Sequence, residues 1–309
     1  MRFAVEAWAP EYGASTGDEV LAESEAETDI GIEVDAAHWA PRSAPVGAPP
    51  LTDLLLVDGV QRVDAVVWIT GDDGDVRTGV CGSYAAGAVR CVPGRATAEI
   101  SEVERGLFTA APEARPITTR HGAYGVHAAV GDDPGKLRLA LHDRMIQFEA
   151  CVAARAGQAE VVLVDGPLRP GHTHPSMVGF VKTHARSYGP KIVRDTLGAL
   201  TVGQRTPLLV IGGRTRFTWY LRLPGPISHP WAGIVRLEAS PTLAVDEVAD
   251  LADRLCVTLP SYASSPHKDS RAPQNLVPIG GLERSLRRLL GDGRLMQRAL
   301  REAASAPVP

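Results

Sequence analysis

Leu54-Leu55-Leu56-Val57-Asp58-Gly59 and Val161-Val162-Leu163-Val164-Asp165-Gly166 are two apolar runs that close on the same Asp-Gly pair. Continuous Leu/Val runs of this length suit strands buried on both faces. After the first, Val63 to Thr70 is rich in Val, Ile and Trp, Gly71-Asp72-Asp73-Gly74 reads as a turn, and Val76 to Tyr84 is extended again. The expected result is a three-stranded antiparallel meander. From Lys136 to Ala156 the period changes, with Leu141, Met145, Phe148 and Val152 at helical spacing. Three strands, a crossover helix and a further strand predict an α/β fold. Its mixed sheet, flanked by helices, has parallel first and fourth strands as neighbours.

That pairing would bring Asp58 and Asp165 together at the carboxyl ends of their strands, where open α/β sheets place ligands. Two adjacent carboxylates repel unless a cation lies between them, and a hard divalent ion with oxygen ligands meets the need. One Asp-Gly after a strand is ordinary turn chemistry; the repetition is what singles these out. Glu149 lies four residues from Met145 and so borders the apolar stripe. It is placed either to aim at the strand ends or to snorkel outward from the core margin.

Acids number 36 against 32 Lys and Arg, a net charge of −4, which argues mildly against a nucleic-acid protein. The charge is uneven. Residues 1 to 50 hold ten acids and only Arg2 and Arg42, a charge of −8 that leaves +4 for the rest. Lys182 to Arg222 carries eight bases against Asp195, and Lys268 to Arg301 eight against Asp269, Glu283 and Asp292. Two basic segments of this kind are either a phosphate-binding surface or solvated element faces. Residues 1–50 read as an acidic arm with a Pro-rich linker from Pro41 to Pro50, and 51–309 as one domain that includes a basic C-terminal helix. The arm is expected to contact a partner or a second copy of the chain, since ten carboxylates repel phosphate.

Cys81, Cys91, Cys151 and Cys256 are far apart and read as buried hydrophobes. No apolar run is long enough for a membrane span and no secretion signal opens the chain, so a cytoplasmic protein is expected. Gly13-Ala14-Ser15-Thr16-Gly17 formally matches a hydrolase elbow, but no apolar strand precedes it. His172 and His174 lack a third imidazole or thiol at ligand spacing. Trp219 and Tyr220 sit in an alternating apolar context that favours core or an interface between copies over base stacking.

Over roughly residues 51 to 290 the chain resembles the NurA nucleases, whose core is RNase H-like. The resemblance rests on Leu56-Val57-Asp58-Gly59, the helix Arg144 to Glu149 leading to Val164-Asp165-Gly166-Pro167-Leu168, and Val178-Gly179-Phe180-Val181-Lys182. It continues through Thr218 to Arg222, Gly233 to Glu238 and a Pro-rich motif before the last helix. It looks like a divergent bacterial branch. The resemblance implies a manganese- or magnesium-dependent deoxyribonuclease, a 5′-to-3′ exonuclease and single-strand endonuclease. It would act with a HerA-type hexameric ATPase in DNA end processing or phage defence, and a homodimer is expected. Carried over, Asp58, Glu149 and Asp165 become catalytic metal ligands for two ions. The family's closing histidine falls on Glu283, which either ligates the metal or caps a helix starting near Gly281. Lys182, Arg186 and Arg236 would hold phosphates. The rival expectation is an adaptor that keeps the fold, binds DNA and regulates the ATPase without cleaving.

Overall fold

The computed structural model describes residues 22–71, 74–169, 174–184, 186–212, 216–225, 229 and 231–305; the Gly13 to Gly17 match and His172 lie outside them. In chain order the strands and helices are β1 (Ala22–Glu23), β2 (Thr28–Asp29), β3 (Leu54–Thr70), β4 (Val76–Val92), β5 (Arg95–Thr109), β6 (Ile117–Thr119), β7 (Gly122–Ala128), α1 (Pro134–Arg155), β8 (Val161–Asp165), β9 (Met177–Val181), β10 (Arg186–Ser187), α2 (Lys191–Ala199), β11 (Leu209–Ile211), β12 (Arg216–Arg222), β13 (Ile234–Ala239), α3 (Val245–Thr258), α4 (Val277–Leu289) and α5 (Gly293–Ala304). The class is mixed α/β, and the chain divides into two compact units. The first holds residues up to 56, 90–96 and 158–280; the second holds 57–89, 97–157 and 281 onward.

In the first unit the strand order is β2-β11-β12-β13-β9-β8. All these pairs are antiparallel except β8–β9, which is parallel. Every residue of β11 and β13 is buried, including the charged Arg236 and Glu238 of β13. Residues 28–50, expected as arm and linker, pack into this unit. Trp39 joins Val193, Leu197, Leu209 and Tyr220 in one core cluster, and its indole donates to the Ile30 carbonyl at 2.6 Å. Glu33 meets the fully buried Arg205 at 2.7 Å, and Asp253 takes the other side of that guanidinium at 2.6 Å. Burial raises the Glu33 pKa, but the hydrogen bond and charge of Arg205 outweigh it and leave the carboxyl below its usual range. An acidic composition thus hid a buried counter-charge.

The second unit has the strand order β3-β4-β5-β7-β6. A turn in which Gly71 N–H donates to the Asp75 carbonyl joins β3 to β4, and Pro93-Gly94 joins β4 to β5, so these neighbours run antiparallel. A meander is present, but not the expected one. Residues 54–57 and 63–70 form a single 17-residue strand, and the third strand is β5, whose half-exposed polar sequence concealed it. The reason is Gly59. It stays extended inside β3 between Val57 and Val60, whereas its counterpart Gly166 has φ 85° and makes a true turn. Helix α1 starts where Asp133 accepts the N–H groups of Gly135 and Lys136, and it buries Leu137, Leu141, Met145, Phe148 and Val152. At the other end of the chain, Leu282 and Leu286 of α4 pack where Gly87 lacks a side chain, and Arg62 donates to the Leu290 and Gly291 carbonyls. Among the described residues, no helix is long and apolar enough to cross a membrane.

Candidate functional site

Asp58 and Glu149 both lie beside Gly59 in the second unit. Asp58, 3% exposed, accepts the Gly59 N–H on Oδ1 at 2.9 Å. Glu149 arrives from the third quarter of α1, one residue after the buried Phe148, and its Oε1 would lie 2.3 Å from a Cβ at position 59. Successive side chains leave a strand on opposite faces. It is the missing side chain at Gly59 that lets the Glu149 carboxylate reach the backbone beside Asp58. The sequence assigned both acids; the role of Gly59 as the vacancy between them was not legible.

Glu283 also belongs to this unit and is 7% exposed. Because α4 begins at Val277 rather than near Gly281, Glu283 sits in the second turn, beyond the reach of an N-terminal cap or dipole. Its alternative reading as a helix cap is therefore removed.

In the first unit, Asp165 ends β8 with its Oδ2 2.9 Å from Lys182 Nζ. Lys182 follows β9, which runs parallel to β8 with Asp165 opposite Phe180. Only 8% exposed, Lys182 also donates to Asn275 Oδ1 at 3.2 Å, and the Asn275 amide donates to Asp269 at 2.7 Å. Burial raises the Asp269 pKa. The N–H of Arg271, the Asn275 amide and the Arg271 charge more than offset this and hold it below the usual range.

Arg236 and Glu238 occupy alternate positions of the fully buried β13. Glu238 Oε1 accepts from Arg236 at 3.0 Å, and Oε2 accepts from Arg216 and from the Leu168 N–H, each at 2.9 Å. The Arg236 guanidinium lies 5.0 Å over the Tyr188 ring. Arg186, the third expected phosphate ligand, is exposed on the two-residue strand β10 and makes no ion pair among the described residues. Trp219 and Tyr220 are fully buried, in agreement with their apolar context. Cys81, Cys91 and Cys256 are buried as expected, whereas Cys151 is exposed. Glu238, Asn275 and Asp269 went unassigned in the sequence. The available signal was charge inside apolar strands, since a buried ion must be paired.

Manganese and magnesium suit hard carboxylate oxygens, and magnesium in particular is commonly held by one or two carboxylates with water and substrate phosphate completing its shell. Asp58, hydrogen-bonded to the Gly59 N–H, and Glu149, packed where Gly59 lacks a side chain, are hard oxygen donors of that kind. They do not form a closed cage: among the described residues no group of three His, Cys, Asp or Glu side chains is arranged to hold an ion. An open cavity of about 680 Å³ in the same unit, lined by Phe108, His127, Lys136, Leu139, Arg144 and neighbours, contains none of the expected site residues.

No protein-family model matches the chain, and no curated protein matches it. Among solved structures it aligns with the NurA nuclease from Sulfolobus solfataricus over 88% of this chain and 89% of that one, at 11% identity and a TM-score of 0.48. It also aligns with human endonuclease V over 82% of this chain and 92% of that one, at 15% identity and a TM-score of 0.32.

Proposed function

We propose that the protein is a divalent-metal-dependent nuclease of RNase H-like design that hydrolyses DNA phosphodiesters. The observation that carries this reading is that the Glu149 side chain packs where Gly59, the β3 residue next to Asp58, lacks one of its own. Asp58 and Glu149 would hold the manganese or magnesium ion, with Glu283 as a further oxygen donor of the same unit. Such an ion, when bound, supplies Lewis acidity to a phosphoryl oxygen and lowers the pKa of a water. Lys182 and Arg236 bind phosphate oxygens as point charge and planar fork respectively, and Asp165 and Asn275 fix the direction of the Lys182 ammonium. Cleavage from 5′ ends, partnership with a HerA-type hexameric ATPase, a homodimer and a role in end processing or phage defence extend this reading from the sequence resemblance.

A second reading is favoured by a specific observation. The Asp165 carboxylate is paired with a buried lysine, and among the described residues no three-ligand group is preformed. Such a chain would bind DNA and regulate an ATPase without cutting. End-labelled single- and double-stranded DNA, titrated with manganese and magnesium with and without the neighbouring ATPase, separates the two. The nuclease reading expects cleavage that is abolished in Asp58→Ala while DNA affinity persists. Cleavage retained by that variant contradicts it, and a wild-type chain that is inert in every arm yet stimulates the ATPase establishes the adaptor.

A further inference from the structure

Across the first unit, Thr218, Glu238, Gly179 and Val164 stand in register on β12, β13, β9 and β8. A Cβ at Gly179 would lie 2.8 Å from the Leu168 nitrogen and 2.9 Å from the Gly166 carbonyl oxygen, so the loop leaving Asp165 folds directly over this glycine. From there the Leu168 N–H reaches Glu238 Oε2, 2.9 Å away. The same oxygen receives Arg216 Nη1 at 2.9 Å, and the other oxygen receives Arg236 Nη2 at 3.0 Å. Glu238 is 1% exposed, yet the Arg216 side chain remains 31% exposed. One buried carboxylate therefore ties the loop after β8 to two arginines that approach it from two strands.

We infer that Glu238 is a positioning residue for nucleic-acid binding: its carboxylate holds Arg216 and Arg236 and the Gly166–Leu168 turn in the arrangement that receives a phosphodiester backbone. This rests on the nuclease reading, and it adds Arg216 to the phosphate-binding set. Arg216 donates to Glu238 from Nη1 and keeps most of its five N–H groups for phosphate oxygens, whereas Arg236 gives Glu238 both Nε and Nη2 and has only its remaining Nη N–H groups to offer.

The prediction has an unusual sign. Deleting a negative charge beside a phosphate site should tighten binding by simple electrostatics, whereas loss of positioning should weaken it. Affinity for a fluorescent single-stranded oligonucleotide, measured over a salt series with thermal melting as the folding control, decides. Glu238→Gln is expected to bind at least about fivefold more weakly than wild type at low salt, with a smaller salt slope. Glu238→Asp, which keeps the charge but shortens the arm, is expected to bind more weakly too. Unchanged or tighter binding by a folded Glu238→Gln overturns the inference and leaves the nuclease reading standing, as does failure of both variants to fold, which makes the carboxylate a requirement of the core. A wild-type chain that binds no oligonucleotide overturns the nuclease reading and the inference with it.

Discussion

Gly59 in the second unit and Gly179 in the first each leave a side-chain vacancy in a buried strand, and what fills the vacancy differs. At Gly59 it is the Glu149 side chain from Cγ to Oε1; at Gly179 it is backbone, the Leu168 nitrogen and Gly166 oxygen. A carboxylate can swing aside at little cost, while a turn pinned to Glu238 cannot. On the proposed function the first vacancy serves the chemistry and the second the architecture, and equal substitutions should break them in different ways.

The largest effect is expected at Gly59. Gly59→Ala should displace Glu149 from its Cγ outward and lower manganese-dependent cleavage about 10²-fold, while unfolding in urea shifts by less than about 1 kcal/mol, because a side chain rather than backbone must move. Equal loss of stability and rate would show that the vacancy is structural. Gly179→Ala is the converse case. With backbone at 2.8 and 2.9 Å from the new methyl group, a loss of about 1–3 kcal/mol is expected in the same urea experiment. An unperturbed midpoint would mean that the turn is free to move, and the contrast would fail.

A separate effect concerns acid sensitivity, which should reside in the first unit. His184 is fully buried against Tyr220 and Trp231, and its Nε2–H is 3.1 Å from the Ile234 carbonyl. Burial pushes its pKa down to about 4; the Ile234 bond opposes this and the Arg236 charge adds to it. The unfolded chain takes up the proton near pH 6.5 and the folded one only near 4. Stability is thus complete above about pH 6.5 and falls as the pH drops toward 4, by at most about 1.4 kcal/mol per pH unit from this group. Glu33 and Asp269, with lowered pKa values, add to the loss below their ordinary range. His184→Gln should flatten the denaturation midpoint between pH 6.5 and 4; an unchanged slope would assign the sensitivity elsewhere.

Periodicity made the apolar strands and α1 legible, because burial on both faces or on one helical stripe leaves a direct trace in Leu, Val and Phe spacing. The twin Asp-Gly pairs misled for a physical reason. Gly166 is needed for its positive φ, but Gly59 for its lack of volume, and a dipeptide cannot tell those needs apart. The three-strand count survived while the strands themselves changed, since β5 is polar and exposed over its first half and its Leu107-Phe108 end is too short a run to mark a strand. Asp58 and Glu149 were assigned from strand and helix position, and the structure sets both beside Gly59. Glu238 was not, because its value lies in long-range partners, Leu168 and Arg216, that are 70 and 22 residues away. The acidic leader hid Glu33 in the same way: composition shows charge, and only the fold shows Arg205 waiting for it.

The central claim is that the carboxylates at Gly59 hold a divalent ion. Manganese binding to the metal-free chain, followed by the loss of the free-ion paramagnetic resonance signal during titration, tests it without reference to turnover. Wild type should bind manganese and Asp58→Ala should lose at least tenfold in affinity, about 1.4 kcal/mol, with an unchanged melting curve. Equal manganese affinity in the two proteins would contradict the account.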